Sequence, residues 1–199
     1  MPQGGEFQVS TTYWRWDPAV ASDANGSFVV VWSSLGQDGS DSGVFGQRFD
    51  ASGVPQGSEF LVNTSTMSWQ SGPAVASDGS GNFVVVWQSR YQDGSDGGVF
   101  GQRFNASGVP QGSEFQVNTY TTNSQRSPKV ASDATGNFVV AWASEPHDGS
   151  NWGVFGQRFN ASGVPQGSEF QVNTYTTSVQ IEPAVTSDAN GNFVVAWQS

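Results

Sequence analysis

An all-β chain is predicted, a β-propeller of four-stranded antiparallel blades with about four 55-residue repeats, and four observations predict it. The segment PAVASDGSGNFVVVWQS at 73–89 recurs as PAVASDANGSFVVVWSS from Pro18, PKVASDATGNFVVAWAS from Pro128 and PAVTSDANGNFVVAWQS from Pro183. Trp32, Trp87, Trp142 and Trp197 are each 55 residues apart, and a fixed period of this length is the mark of a repeat architecture. Glycine is abundant, with 25 residues against 2 Met, and β-branched and aromatic residues fill the apolar runs. Each repeat also breaks into four short apolar runs separated by turn residues, as four-stranded blades require.

The unit that begins at Pro73 shows the elements in order. A first strand at 73–77 reaches the tight turn Asp78-Gly79-Ser80-Gly81 and returns as a second strand at 82–89. Glycine-rich turn residues between apolar runs signal a hairpin. The polar loop 90–97 follows, then a third strand at 98–104. Gly108, Pro110 and Gly112 interrupt the chain before a fourth strand at 114–118. The run Phe83-Val84-Val85-Val86-Trp87 is apolar on both faces, so it lies between sheets. The third strand alternates, with Phe100, Gln102 and Phe104 on one face and Val99, Gly101 and Arg103 on the other. Burial is expected to grade from the inner strands to half-exposed outer ones. A lone blade of this size is marginal, so interfaces between blades hold the fold.

The whole chain, 1–199, reads as a single repeat domain: a partial blade at 1–17, repeats at 18–72, 73–127 and 128–182, and a partial repeat at 183–199. A fourth strand at 6–9 opens the chain, and a first and second strand end it, giving fifteen strands where four blades want sixteen. Strand exchange or dimerisation into a larger ring would supply the closure, because near-identical blades can replace one another. The opening Pro2-Gln3-Gly4 matches Pro55-Gln56-Gly57, so the repeat is entered mid-stream and no signal peptide is read there.

Composition excludes several partners. The formal net charge is −10 with 7 Lys and Arg, which leaves no basic stripe for nucleic acid and disfavours an anionic membrane surface. No apolar run is long enough to enter a bilayer as a helix. Cysteine is absent, so there is no disulfide framework.

The order SDxxGN, FVVVW, DG and third strand resembles the layout of tryptophan–aspartate repeat propellers, although the histidine and closing Trp-Asp pair of that family are missing. The hairpin is also similar to the Asp-box hairpin of sialidase-type blades. A closer resemblance is to large secreted bacterial repeat proteins built from copies of GVFGQRFDASG, GSEFQVNT and FVVVWQS, which often carry calcium-binding nonapeptide repeats as well. Residues 43–49, 98–104 and 153–159 match that signature, as do the EFQVNT and FVVAWQS segments, so the resemblance covers nearly the whole chain. It implies an extracellular or cell-surface setting and a role in adhesion, and it brings no catalytic residue with it.

Antiparallel strands place first-to-second and third-to-fourth turns at one end of a blade, and second-to-third loops and blade-to-blade links at the other. The first end is nearly invariant between copies: SDANGS, SDGSGN, SDATGN and SDANGN, with three copies of ASGVPQGSEF. The second end diverges. Its links bring Trp14, Arg15, Trp16, Trp69, Tyr120 and Arg126, and its loops bring Arg90, Tyr91, Glu145, His147 and Trp152. Loops on a rigid scaffold are the usual place for binding residues, and the competing reading is drift in unconstrained loops. The tryptophans favour a ligand-binding face, since exposed Trp otherwise costs solubility. Glycans are the first expected ligand, because sugar rings stack on Trp and Tyr while hydroxyls meet polar groups. A protein surface is the second, because Trp, Tyr and Arg also anchor interfaces.

The DGSD loops offer a second possibility. Asp38 with Asp41, Asp93 with Asp96, and Asp148 in the third copy could supply oxygens to Ca²⁺, although Asp and Ser make the same turns with no metal. Asp23, Asp78, Asp133 and Asp188 read as turn caps, and Arg48, Arg103 and Arg158 as partners of a carboxylate or carbonyl. The sequons at Asn105 and Asn160 are coincidences of an Asn/Ser-rich turn. The single histidine, His147, has no nucleophile and carboxylate arranged around it in sequence, so no catalytic residue is assigned. A non-enzymatic extracellular binding module, lectin-like or adhesin-type, is the expected function. The alternatives are a spacer or protein-interaction scaffold and, third, a glycoside hydrolase.

Overall fold

The structure is a computed structural model and describes residues 5–10, 14–146 and 151–199. The apolar runs form strands wherever a neighbour can complete their hydrogen-bond ladder. Blade 1 comprises β1 (Arg15–Ser22), β2 (Phe28–Leu35), β3 (Ser42–Phe49) and β4 (Phe60–Leu61). Blade 2 comprises β5 (Gln70–Ser77), β6 (Phe83–Arg90), β7 (Gly97–Phe104) and β8 (Phe115–Gln116). Blade 3 comprises β9 (Gln125–Ser132), β10 (Phe138–Ser144), β11 (Gly153–Phe159) and β12 (Phe170–Gln171), and β13 (Ile181–Ser187) and β14 (Phe193–Gln198) form blade 4. Each blade is a sequential antiparallel meander. The innermost strands β1, β5, β9 and β13 together line a central channel of about 620 Å³. The fold is therefore a β-propeller.

Three expectations change. The first strand of blade 2 starts at Gln70, three residues earlier than read, because the chain absorbs Pro73 in a bulge between Ser71 and Ala74. Gly72 takes φ 61° there, and a bulge relieves a proline of the ladder bond it cannot donate. The fourth strands shrink to two residues, and no strand forms in 5–10, so among the described residues fourteen strands stand in place of fifteen. The reason is local: among the described residues no third strand lies in blade 4 for the opening segment to pair with. Phe7 nevertheless packs 5.5 Å from Phe49, just as Phe60 packs 5.4 Å from Phe104 one blade on. The third expectation is the gradient of burial. The third strands are buried almost throughout, like the second strands β6 and β10, whereas the inner strands β5 and β9 mix buried with half-buried positions and the short outer ones are half-buried or exposed.

The alternation read in the third strand holds and extends to the whole blade. Ala74, Ala76, Val84, Val86, Val99 and Val117 form the face of blade 2 turned toward blade 3, where they meet Val130, Phe138, Val140, Trp142, Phe155 and Phe159. The junction of blades 1 and 2 repeats the pattern, with Val29, Val31, Val44 and Val62 against Phe83, Val85, Trp87, Phe100 and Phe104. Every blade thus has a small aliphatic trailing face and a large aromatic leading face. Fully burying one of these Phe or Val side chains contributes about 1.5–3 kcal/mol before entropy. Gly101 makes room for the arrangement, since a Cβ there would sit 2.7 Å from Phe115 Cζ.

One end of the propeller is laced across blades. The carboxylates of Asp78, Asp133 and Asp188 each accept backbone N–H bonds from the residues two and four ahead, at 2.8–3.0 Å, so they cap their turns. Asn105 and Asn160 cap the third-to-fourth turns in the same way. Arg48 Nη1 donates to Ser107 O and Arg103 Nη1 to Ala161 O, each at 2.6 Å and each in the following blade. These carbonyls are the partners expected for the repeated arginines. Gly163, at φ 78°, receives the Arg103 side chain so closely that a Cβ would lie 2.8 Å from Nε.

Candidate functional site

The opposite end gathers the residues that differ between copies. The loops and links do share this end: Ser95 Oγ donates to Asn123 O at 3.1 Å, and Tyr120 Oη to Pro146 O at 3.1 Å. Three of the links are held from inside by a buried polar tie. Asn118 Oδ1 accepts from Val99 N at 2.7 Å, and its amide donates to Gln125 Oε1 at 3.1 Å, while Gln125 donates to Thr122 O at 3.0 Å. The same tie recurs at Asn63 with Gln70 and at Asn173 with Gln180. Buried amides with their bonds satisfied stiffen the segments beside them.

Between blades 2 and 3 these fixed segments leave a cleft of about 350 Å³. Five of the residues singled out above line it together: Trp69, Arg90, Arg126, Glu145 and Trp152. The Arg126 guanidinium lies over the Trp152 ring at 3.8 Å from its centroid. Stacking of this kind orients the planar donor fork without consuming its hydrogen bonds. Arg90 Nη2 stands 3.8 Å from Asp96 Oδ1, also in the cleft. Two cations and two carboxylates therefore line the cleft beside two indoles, and Ser71, Gln88 and Ser124 add uncharged polar groups.

The other predicted residues lie elsewhere. Trp14 is 83% exposed, outside the cleft. Trp16 packs 6.3 Å from Trp69, at the junction of blades 1 and 2. Arg15 is engaged within blade 1: Nη1 donates to Glu59 Oε1 at 3.2 Å, and the guanidinium lies over Trp32 at 4.9 Å. It stands in the position Gln70 holds in the next copy, so it serves structure here. Tyr91 is exposed at φ 61°, with Arg90 5.9 Å from its ring, and Tyr120 is spent on the Pro146 carbonyl. His147 and Asp148 lie outside the described residues.

The acidic loops show turn geometry. Asp38 Oδ1 accepts from Ser40 N and Asp93 Oδ1 from Ser95 N, each at 3.0 Å. Asp41 is exposed and Asp96 faces Arg90. Among the described residues no three acidic or histidine side chains gather to hold a metal ion.

Sequence reading missed what opens the cleft. Gly97 holds the position that Trp152 occupies one copy on, and Ser124 the position of Trp69 one copy back. These small residues bridge each other in parallel and leave the space that the two indoles flank. The signal is present as copy-to-copy variation, but a small residue carries no chemistry of its own until the fold sets it beside a large one.

No protein-family model matches the chain, and no curated protein matches it. Solved structures do resemble it. An endo-arabinase from Bacteroides thetaiotaomicron superposes with a TM-score of 0.54 at 14% identity, over 97% of this chain and 74% of that one. An α-L-arabinofuranosidase from Lactobacillus brevis superposes at 0.51 and 10% identity, over 92% of this chain, which spans 64% of that enzyme's length. A fucose lectin from Kordia zhangzhouensis reaches 0.45 at 11% identity, over 80% of this chain and 99% of that one. At these identities the first two likenesses concern the fold, and what they support is the all-β propeller architecture described above.

Proposed function

We propose that this chain is a non-enzymatic, lectin-like binding module that takes a neutral sugar unit in the cleft between blades 2 and 3. The observation that carries the reading is the meeting of Trp69, Trp152, Arg126 and Glu145, from separate links and loops, in one cleft. A sugar offers an apolar C–H face to an indole and hydroxyls to a stacked guanidinium and a carboxylate. Balanced charge in the cleft argues against an anionic glycan, as does the net charge of −10. The resemblance of the repeats to secreted bacterial adhesin-type proteins supports an extracellular setting for this role. Glycoside hydrolysis requires two carboxylates poised on either side of the scissile bond. Asp96 stands 3.8 Å from Arg90, which favours a charge-paired, binding role for that carboxylate.

The test is a glycan array followed by calorimetry on the best neutral oligosaccharide. Trp152→Ala and Arg126→Ala are expected to weaken binding at least about tenfold, as anchors of a small site do, with Trp14→Ala unchanged. Absence of any neutral glycan above background would leave the spacer or protein-interaction scaffold as the better reading. Turnover of a fluorogenic glycoside that disappears in Glu145→Gln would replace binding by catalysis.

A further inference from the structure

The central channel is lined by one position repeated four times. Residues 17, 72, 127 and 182 each stand directly before the repeated proline and each border the channel. All four take a left-handed backbone, at φ 50°, 61°, 54° and 51°. A residue before proline is driven toward extended backbone, so a left-handed one there suits glycine, and the second repeat has Gly72. The other repeats place Asp17, Ser127 and Glu182 at this position and bear the strain. Two residues on, Ala19, Ala74 and Ala184 are matched in the third repeat by Lys129, the only lysine in the chain.

Asp17, Lys129 and Glu182 therefore bring both signs of charge to one cavity of about 620 Å³. All three are solvent-exposed, and among the described residues no ion pair joins Lys129 to either carboxylate. Ser127 Oγ donates to Glu182 Oε1 at 3.4 Å and steadies that carboxylate. Gln88 lines both the channel and the cleft: its Oε1 accepts from Ser127 N at 3.3 Å and its Nε2 donates to Ser71 Oγ at 3.1 Å. A side chain held at both ends in this way is a wall between two sites. Pro73, Val75, Val130 and Val185 give the channel an apolar lining beside its charges.

We propose that the channel is a second binding site, separate from the glycan cleft, and that it takes the zwitterion of a small apolar α-amino acid. The ligand carboxylate pairs with Lys129. The ligand ammonium donates to Glu182, with Asp17 as the second acceptor, and its side chain lies against the proline and valine lining. A simple cation would meet Lys129, a simple anion would meet two carboxylates, and a neutral sugar would leave all three charges unanswered. A dipolar ligand satisfies both signs at once.

Calorimetry with L-leucine tests this. One leucine is expected to bind per chain. Leucinamide, which lacks the carboxylate, and isocaproate, which lacks the ammonium, should each bind at least about tenfold more weakly, the loss that one charge-assisted hydrogen bond brings. Lys129→Ala installs the residue of the other three repeats, so it should weaken leucine by about the same factor with the melting temperature unchanged. Glu182→Gly copies the second repeat and should weaken leucine likewise while raising the melting temperature, because glycine relieves the left-handed strain. Glu182→Gln gives the same reading on binding if glycine loosens the strand. No cleft residue is varied, so the outcome is separate from that of the glycan array. Leucine that fails to bind at millimolar concentration, leucinamide or isocaproate bound as tightly as leucine, or Lys129→Ala or Glu182→Gln binding leucine like the parent would each overturn the proposal.

Discussion

The two ends of this propeller are made by the same copied unit and do opposite things. At the invariant end, side chains reach from blade to blade: Arg48 and Arg103 hold carbonyls of the following blade, and Ser187 Oγ donates to Ser132 O at 2.8 Å. At the variable end, the large side chains mostly line open space or turn outward, as Trp69, Trp152 and Trp14 do. The difference teaches why divergence collects where it does. A residue bonded to the next copy's backbone cannot change without loosening two blades, whereas a loop held from inside by the Asn118–Gln125 tie can change its outward side chains freely.

The comparison can be broken most severely inside the blades, between the two ends. Gly101→Val places a branched side chain where even a Cβ would lie 2.7 Å from the Phe115 ring, so a loss of about 2–3 kcal/mol in urea unfolding is expected. The next effect separates two copies of one arginine. Arg103→Ala removes bonds to Ala161 O at 2.6 Å and Gln111 O at 2.9 Å and should cost about 1–2 kcal/mol. Arg158→Ala, on an exposed arginine that faces the two-stranded blade 4, should stay within about 0.5 kcal/mol. Equal losses at the two positions would show that the clasp across blades is not what the arginine contributes.

Acid offers a smaller perturbation of the invariant end. Burial pushes the Asp133 carboxyl up, but hydrogen bonds from Asn137 and Thr135, side chain and backbone, outweigh it, and the net shift is below the ordinary 3.8. Asp188, bonded by Asn192, shifts the same way. A carboxyl with a lowered folded value stabilises the protein above its unfolded value, and that contribution is lost as pH falls through the folded one. The melting temperature should therefore fall between about pH 4 and pH 2, and the gap between parent and Asp133→Asn should close over the same interval. The smallest change in stability is expected at the variable end. Arg126→Ala gives up a stacking contact worth about 0.5–1 kcal/mol, so a marked loss of glycan binding with little change in melting temperature would sharpen the contrast between the ends.

Much of this was legible in the residues. Asp78 with its glycine-rich turn announced the hairpin, and the alternation of Val99 and Phe100 announced two faces that the structure does send to two different cores. The variable end was legible as well, and Trp69, Arg126, Glu145 and Trp152 meet there. The role of Arg15 was not, because its partner Glu59 lies 44 residues away and no local pattern links them. Nor was the buried Asn118–Gln125 pair, since amides in an Asn/Gln/Thr-rich stretch read as surface until the fold closes over them.

Sequence alone determined the repeat, the turns, the polarity of each blade face and the end on which variation gathers, because all of these follow from local spacing and side-chain period. Tertiary structure alone decided which variable residues share a cleft and which arginine is spent on packing. Those outcomes depend on how neighbouring sheets fan about the axis, and that angle is set by the summed packing of large faces on small ones and by no single stretch of chain.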